Sequence, residues 1–311
     1  MPGGDTDKGL GANKNEIFFS LENSTQYIDW WHEPVPEEDF DHEGSLLSFV
    51  LRPGAIYGIS NKINLYLTTT IGVRSMDWFG DNHSLHHRDE HTGDDFDNAI
   101  GGVLGDSKII LRYLLKNTGA GDGYRIIIGS GITIPSTNTL TIDPFAKSDG
   151  IIVPHRHFSM SDGTYNYNSD LQIFYKRSAN PVFFGGSLSI EKPIDENEYS
   201  YLSPTSTKGV ISAIYKRFDK LDGSIDISLG IQSFSLAYWG NKPSPNSDAF
   251  IMTPSLSYLF NLKKGALSIG LQKPFFLSGS FAGNEGDIKQ TTKVWQLIVS
   301  YRSMSIKKHF N

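Results

Sequence analysis

The sequence predicts an all-β chain: a transmembrane, antiparallel, up-and-down β-barrel of about twelve strands. Three observations carry this. First, the stretch Leu104 to Ser136 reads as a hairpin whose arms alternate in polarity. In the first arm Ile109, Leu111, Tyr113 and Leu115 face away from Lys108, Arg112 and Lys116. In the second, Tyr124, Ile126, Ile128, Ile132 and Ile134 oppose Arg125, Gly129, Gly131 and Thr133. The arms run to roughly a dozen residues, the length a tilted strand needs to cross a bilayer. Second, runs of this kind recur along the chain. Third, their connections alternate between tight turns and longer polar segments, an asymmetry of ends that belongs to membrane barrels and has no physical reason in a soluble sandwich.

Taken in order, residues 1–14 are a polar, Gly-rich leader, residues 15–304 the barrel, and residues 305–311 a tail. The first strand spans Glu16 to Trp31 and is followed by the acidic segment HEPVPEEDFDHE. Ser45 to Ile59 is the second, with Phe49, Leu51, Ala55, Tyr57 and Ile59 opposite Ser48, Arg52, Gly54 and Gly58. A turn at Ser60 to Lys62 leads into a third strand ending near Trp78. A polar segment from Phe79 to Gly102 precedes the hairpin, which supplies strands four and five, and another runs from Thr137 to about Thr164. Strands six and seven, Tyr165 to Arg177 and Val182 to Glu191, are separated by Ser178 to Pro181. Strands eight to twelve are Gly209 to Phe218, Ser224 to Trp239, Phe250 to Leu262, Ala266 to Gly279, and Lys293 to Met304. Trp30, Trp31, Trp78, Tyr113, Tyr175, Tyr215, Tyr238, Trp239, Tyr258 and Trp295 fall near predicted strand ends, where interfacial aromatic girdles sit.

Composition agrees. Aromatics make up 12% of 311 residues and Gly numbers 31, while the hydrophobic fraction is 38%. That balance suits a polar lumen inside an aromatic-edged belt. No run approaches 18 apolar residues, so no transmembrane helix is predicted. The absence of Cys removes thiol chemistry and Cys-type zinc sites. A net charge of -6 with dispersed Lys and Arg argues against a nucleic-acid partner. Met1 followed by PGGDTDKG reads as a mature start from which a secretory signal has been removed. The expected location is the bacterial outer membrane, with lipid and a small-molecule solute as partners.

The run Leu104-Gly105-Asp106, followed by Ile109, Leu111, Arg112, Tyr113 and Leu114, resembles a pattern of outer-membrane transporters associated with aromatic (phenol) degradation pathways. Gly129, Gly131, Ile132, Ile134 and Pro135 are similar to the end of that family's next strand. Leu297, Val299, Ser300, Tyr301 and Arg302 are similar to its closing strand. The chain departs from the pattern around Ser136 and Thr137, and it continues past Tyr301 to RSMSIKKHFN. The resemblance implies a channel or transporter for small, aromatic or apolar compounds.

On strand parity, Arg52, Arg74, Asp106, Lys108, Arg112, Arg125, Asp170, Lys176, Glu191, Asp226 and Arg302 face the lumen. Mixed charges lining a water-filled path filter solutes by charge, and the basic excess predicts a modest anion preference. The second pattern is histidine. Eight of nine lie in the first three long segments: His32 and His42; His83, His86, His87 and His91; His155 and His157. All would share one rim among acidic residues such as Glu38 and Glu90. Imidazole with carboxylate is a ligand set for zinc, copper, nickel or ferrous iron. His87 and His91 are spaced for one helical turn, and His155 and His157 for one strand face. The leading expectation is therefore a channel with no cofactor, a loop-bound divalent metal being the exception the histidines allow. The alternative is a surface metal-capture or receptor protein anchored by its barrel. No catalytic set emerges: Asn82, His83 and Ser84 are adjacent in one loop, whereas a triad needs partners from separate positions.

Overall fold

The computed structural model describes residues 11–34, 38–80, 82–84, 87–118, 121–144, 155–216, 223–285, 288–303 and 306–307. Twelve long strands form one closed antiparallel sheet: β1 Glu16–His32, β2 His42–Gly58, β3 Ile63–Trp78, β4 Leu104–Asn117, β5 Gly123–Ile134, β6 Asn166–Lys176, β7 Phe183–Pro193, β8 Ser206–Lys216, β9 Gly223–Phe234, β10 Ala249–Leu262, β11 Gly265–Gln272 and β12 Ile288–Ser303. Each strand pairs with its sequence neighbours. The ring closes where β12 returns to β1, with Ser20 opposite Arg302 and His32 opposite Gln290. Closure leaves the ring itself without a free edge among the described residues, the condition for placing backbone in hydrocarbon.

The predicted strand order holds throughout, and the boundaries move by a few residues. Two differences have a local cause. Strand β9 stops at Phe234, and Tyr238–Trp239 instead joins Tyr201–Leu202 and Lys242–Pro243 in a small sheet above the rim. Strand β11 is interrupted at Lys273 and Pro274, because proline has no N–H to give a ladder. Phe275–Gly279 then resumes pairing with β10 through a register shift at Phe250/Ile251.

Both ends of the ring, Glu16 and Ser303, lie at the end that carries the short turns 59–62, 118–122, 177–182, 217–222 and 263–264. The other end carries 33–41, 79–103, 135–165, 194–205, 235–248 and 273–287. By the usual convention the first end is periplasmic and the second external.

Parity divides the wall cleanly. Ile211 (64% exposed), Leu256 (58%), Ile227, Leu111, Leu297 and their neighbours point outward, where apolar exposure of this extent suits lipid. The inward face is polar: Glu22, Ser24, Gln26, Ser48, Asn64, Thr133, Asn168, Gln172, Gln232, Thr253, Gln296 and Ser300 are all buried inside the ring. Of the expected girdle, Tyr113, Tyr215 and Trp295 are outward and exposed, and Tyr175 is outward and half-buried. Trp30 and Trp78 correct that expectation. They share the even parity of Glu22, Gln26 and Arg74 and therefore turn into the barrel.

Both ends of the lumen receive chain. At the inner end Ala12 is buried, donating its N–H to Asn64 Oδ1 at 3.0 Å and accepting from Asn64 Nδ2 at 2.9 Å. At the outer end the segment 155–164 descends along β3 and β4. Ser159 O accepts a hydrogen bond from Arg74 Nη1 at 2.8 Å, and Met160 is buried beside Gly105.

Candidate functional site

The lumen wall is the first part of the site. The register turns ten of the eleven sequence-predicted charges inward: Arg52, Arg74, Lys108, Arg112, Arg125, Asp170, Lys176, Glu191, Asp226 and Arg302. The eleventh, Asp106, sits where the β3–β4 register shifts, and its Oδ1 accepts from the Ser136 N–H at 3.3 Å. They concentrate on β2 to β7. By contrast β10 and β11 offer only uncharged inward residues, among them Thr253, Ser255, Ser257, Ser268, Gly270 and Gln272.

Three ion pairs organise the charged side. Arg52 Nη1 lies 3.2 Å from Glu22 Oε1, and Lys108 Nζ 2.5 Å from Glu191 Oε2. Thr133 Oγ1 donates to the other Glu191 oxygen at 2.6 Å, so this carboxylate has a partner on each side. Arg112 Nη2 meets Asp170 Oδ2 at 2.9 Å. In register, Arg112 on β4 faces Gly129 on β5, which faces Asp170 on β6. A Cβ at Gly129 would come within 2.7 Å of the Asp170 carboxylate, so only glycine lets the pair meet across the intervening strand. Across the predicted set as a whole, seven basic residues (Arg52, Arg74, Lys108, Arg112, Arg125, Lys176, Arg302) stand against four acidic ones (Asp106, Asp170, Glu191, Asp226).

The second part is at the outer mouth. His32 ends β1 and His42 begins β2, directly opposite each other in the ladder. Trp30 pairs with Gly44, which pairs in turn with Trp78. A side chain at Gly44 would strike the Trp30 ring at 2.7 Å, so its absence admits both indoles, whose centroids are 6.2 Å apart. On this aromatic floor His87 stacks against Trp78 at 5.6 Å and 16°. The loops thus deliver His87 to the two strand histidines: one ring nitrogen from each of His32, His42 and His87 lies within 4.8 Å of the others. His157 sits beside His87, with centroids 5.6 Å apart, and its Nε2 is 3.1 Å from His155 Nε2.

Carboxylates and a carbonyl orient these rings. His32 Nδ1 is 2.7 Å from Glu33 O, and a carbonyl can only accept, so Nδ1 carries the hydrogen and Nε2 keeps its lone pair in the neutral ring. His157 Nδ1 lies 2.6 Å from Glu90 Oε1 with the same result. His42 is fully buried and lies 3.0 Å from Glu38 Oε2, an oxygen that accepts from Ser84 Oγ at 2.8 Å. Ser84 Oγ then accepts from the His87 N–H.

The remaining predicted histidines are placed elsewhere. His83 is exposed. His91 lies in a two-residue strand against β3, not on a helical turn, and its Nδ1 accepts from the Gly93 N–H. His86 lies outside the described residues.

Beneath the histidines, Ile28, Trp30, Met76 and Val294 form a buried apolar cluster, joined by Leu46, Trp78, Phe158, Phe276 and Phe281. Above it two loops are locked together by residues that sequence reading did not single out. Arg156 is fully buried and caps the carbonyls of His91, Asp94 and Ile100. Burial pushes its guanidinium below the ordinary value, while Glu90, Asp95 and Asp94 oppose that shift. Asn138 bonds Thr92 O, Gly102 O and the N–H of Met160. Neither residue lies in a periodic pattern, so only the tertiary arrangement reveals them.

These features define a transmembrane β-barrel of the outer-membrane type: twelve strands, a polar lumen and a folded outer mouth. Among solved structures, an outer membrane channel from Pseudomonas putida F1 is similar over 97% of this chain and 100% of its own, at a TM-score of 0.62 and 12% identity. The CymD monoaromatic hydrocarbon channel is aligned over 96% of this chain and 90% of its own, at 0.44 and 9%. The P. putida toluene transporter TodX is aligned over 97% and 92%, at 0.42 and 9%. The first likeness establishes the shared barrel fold; the other two are too partial to bear on function. No family profile and no curated protein matches the sequence.

Proposed function

We propose that the protein is an outer-membrane channel for small solutes, with a preference for anionic and aromatic ones. The observation that carries this reading is the division of the lumen. Charged residues gather on β2 to β7 and face the small, uncharged lining of β10 and β11. Opposed walls of this kind set a field across the path and select by charge. The half-buried aromatics at the edge of the apolar cluster, Trp78, Phe158, Phe276 and Phe281, give a planar, weakly hydrated solute a first contact before the polar lumen. The excess of basic over acidic residues favours anions. The first test is planar-bilayer conductance with liposome flux of benzoate against a neutral sugar. The expected result is resolvable conductance, faster benzoate entry, and loss of anion preference in Lys108→Glu/Arg125→Glu. Silence in both assays would refute the channel.

A further inference from the structure

We infer that the outer mouth holds a site for a divalent transition metal, formed by His32, His42 and His87. Four features of the cluster support it, and none depends on whether the barrel conducts.

The first is spacing. His32 Nε2 and His87 Nε2 are 3.3 Å apart. Two imidazoles at about 2.05 Å from a tetrahedral ion would be separated by about 3.3 Å. The second is protonation. The Glu33 carbonyl holds the hydrogen of His32 on Nδ1, so the nitrogen turned toward His87 is the one with a lone pair. Ring orientation by an acceptor on the far nitrogen is how ligating histidines are ordinarily fixed. The third is His42. It is wholly buried, and neither of its ring nitrogens makes an aligned hydrogen bond among the described residues, although Glu38 lies 3.0 Å from Nε2. A buried imidazole in that condition costs free energy that a bound cation would recover. The fourth is charge. Glu38 is buried against His42, and Glu90 is buried against the neighbouring His157, so carboxylates oppose the positive charge of an ion there.

The donor set selects the ion. Three imidazoles with outlying carboxylates suit zinc, nickel or copper(II) and do not suit calcium or magnesium, which demand oxygen. The ligands come from two strands and one loop, so a bound ion would clamp residues 79–103 to the barrel wall. His157, 5.6 Å from His87 between ring centroids, lies outside this set of three, with its Nδ1 toward Glu90 and its Nε2 toward His155.

The test is calorimetry of zinc with the folded, detergent-purified barrel, alongside His87→Ala, His42→Gln, Glu38→Gln and the control His83→Ala/His91→Ala. One zinc should bind per chain, unaffected by excess calcium. His87→Ala and His42→Gln should weaken binding by at least ~100-fold, Glu38→Gln by about 10- to 100-fold, and the control not at all. Equal binding in the His87→Ala variant and the unaltered chain, or loss of binding in the control alone, would overturn the inference. Heat-modifiable gel migration identifies any variant that does not fold. Cobalt(II) absorption of the unaltered chain decides independently of them. Strong tetrahedral bands bleached by zinc support the site, and an octahedral aquo spectrum refutes it.

Discussion

Arg112 and Asp170 meet over a strand that contributes only Gly129 between them, and both are nearly sealed from solvent. Removing one partner of such a pair leaves a buried charge alone, at a cost of about 3 kcal/mol or more. Arg112→Ala should therefore lower barrel stability by that amount in urea unfolding. The double change Arg112→Met/Asp170→Leu should restore most of it. Gly129→Ala should resemble the single change, because its methyl would enter the space the carboxylate occupies. The charges themselves were legible in the sequence, since Lys108, Arg112 and Arg125 alternate with apolar residues. Their pairing was not. A chord from β4 to β6 is a property of curvature and register, and neither is written in any one strand.

At the scale of the element, the segment 155–164 is held in the outer mouth by Asn138, Arg156 and the Arg74–Ser159 contact. Asn138 is the connector with the most to lose. Its replacement by Ala leaves the Thr92 and Gly102 carbonyls and the Met160 N–H in need of other partners, a local cost of about 1 to 3 kcal/mol. Single-channel recording of Asn138→Ala should show a conductance at least ~2-fold higher, with frequent closures as the segment moves in and out of the mouth. Unchanged conductance would mean that the segment does not limit the path. This element marks where sequence reading reached its limit. The strands were legible because alternation is a local rule that each residue obeys separately. The long loops obey no such rule, so their descent into the lumen and the convergence of His87 and His157 depend on contacts distant in sequence. Trp30 and Trp78 show the same limit differently. Position near a strand end suggested a lipid girdle, yet counting parity from Glu22 already turned Trp30 inward.

For the molecule as a whole, the outward belt determines where the barrel can reside. Among the described residues Ile211, on β8, is the most exposed large hydrophobic residue of the wall, with Ile227 on the adjacent β9 and Leu256 opposite Ile227 on β10. Ile211→Arg should cost about 2 to 4 kcal/mol in lipid if it lies near the midplane. The substitution should cost far less in detergent micelles, which deform around a charge. Unfolding of the same variant in the two media measures the difference. A similar cost in both would show that the belt does not contact hydrocarbon.

The seam between β1 and β12 has a consequence for how the molecule comes into being. Its ladder joins residues at opposite ends of the chain, and Gln296 Nε2 donates to Ser24 Oγ across it from 272 positions away. Loop-closure entropy grows only with the logarithm of length, so this juncture costs about 2 kcal/mol more than closing a thirty-residue loop. The penalty is therefore chiefly one of time: the two ends must find each other after everything between them has taken its place. Until that happens both flanks offer a full row of unsatisfied amides, and any other extended chain is a competitor for them. A sheet that ends as the least adhesive of structures must pass through its most adhesive state immediately before completion.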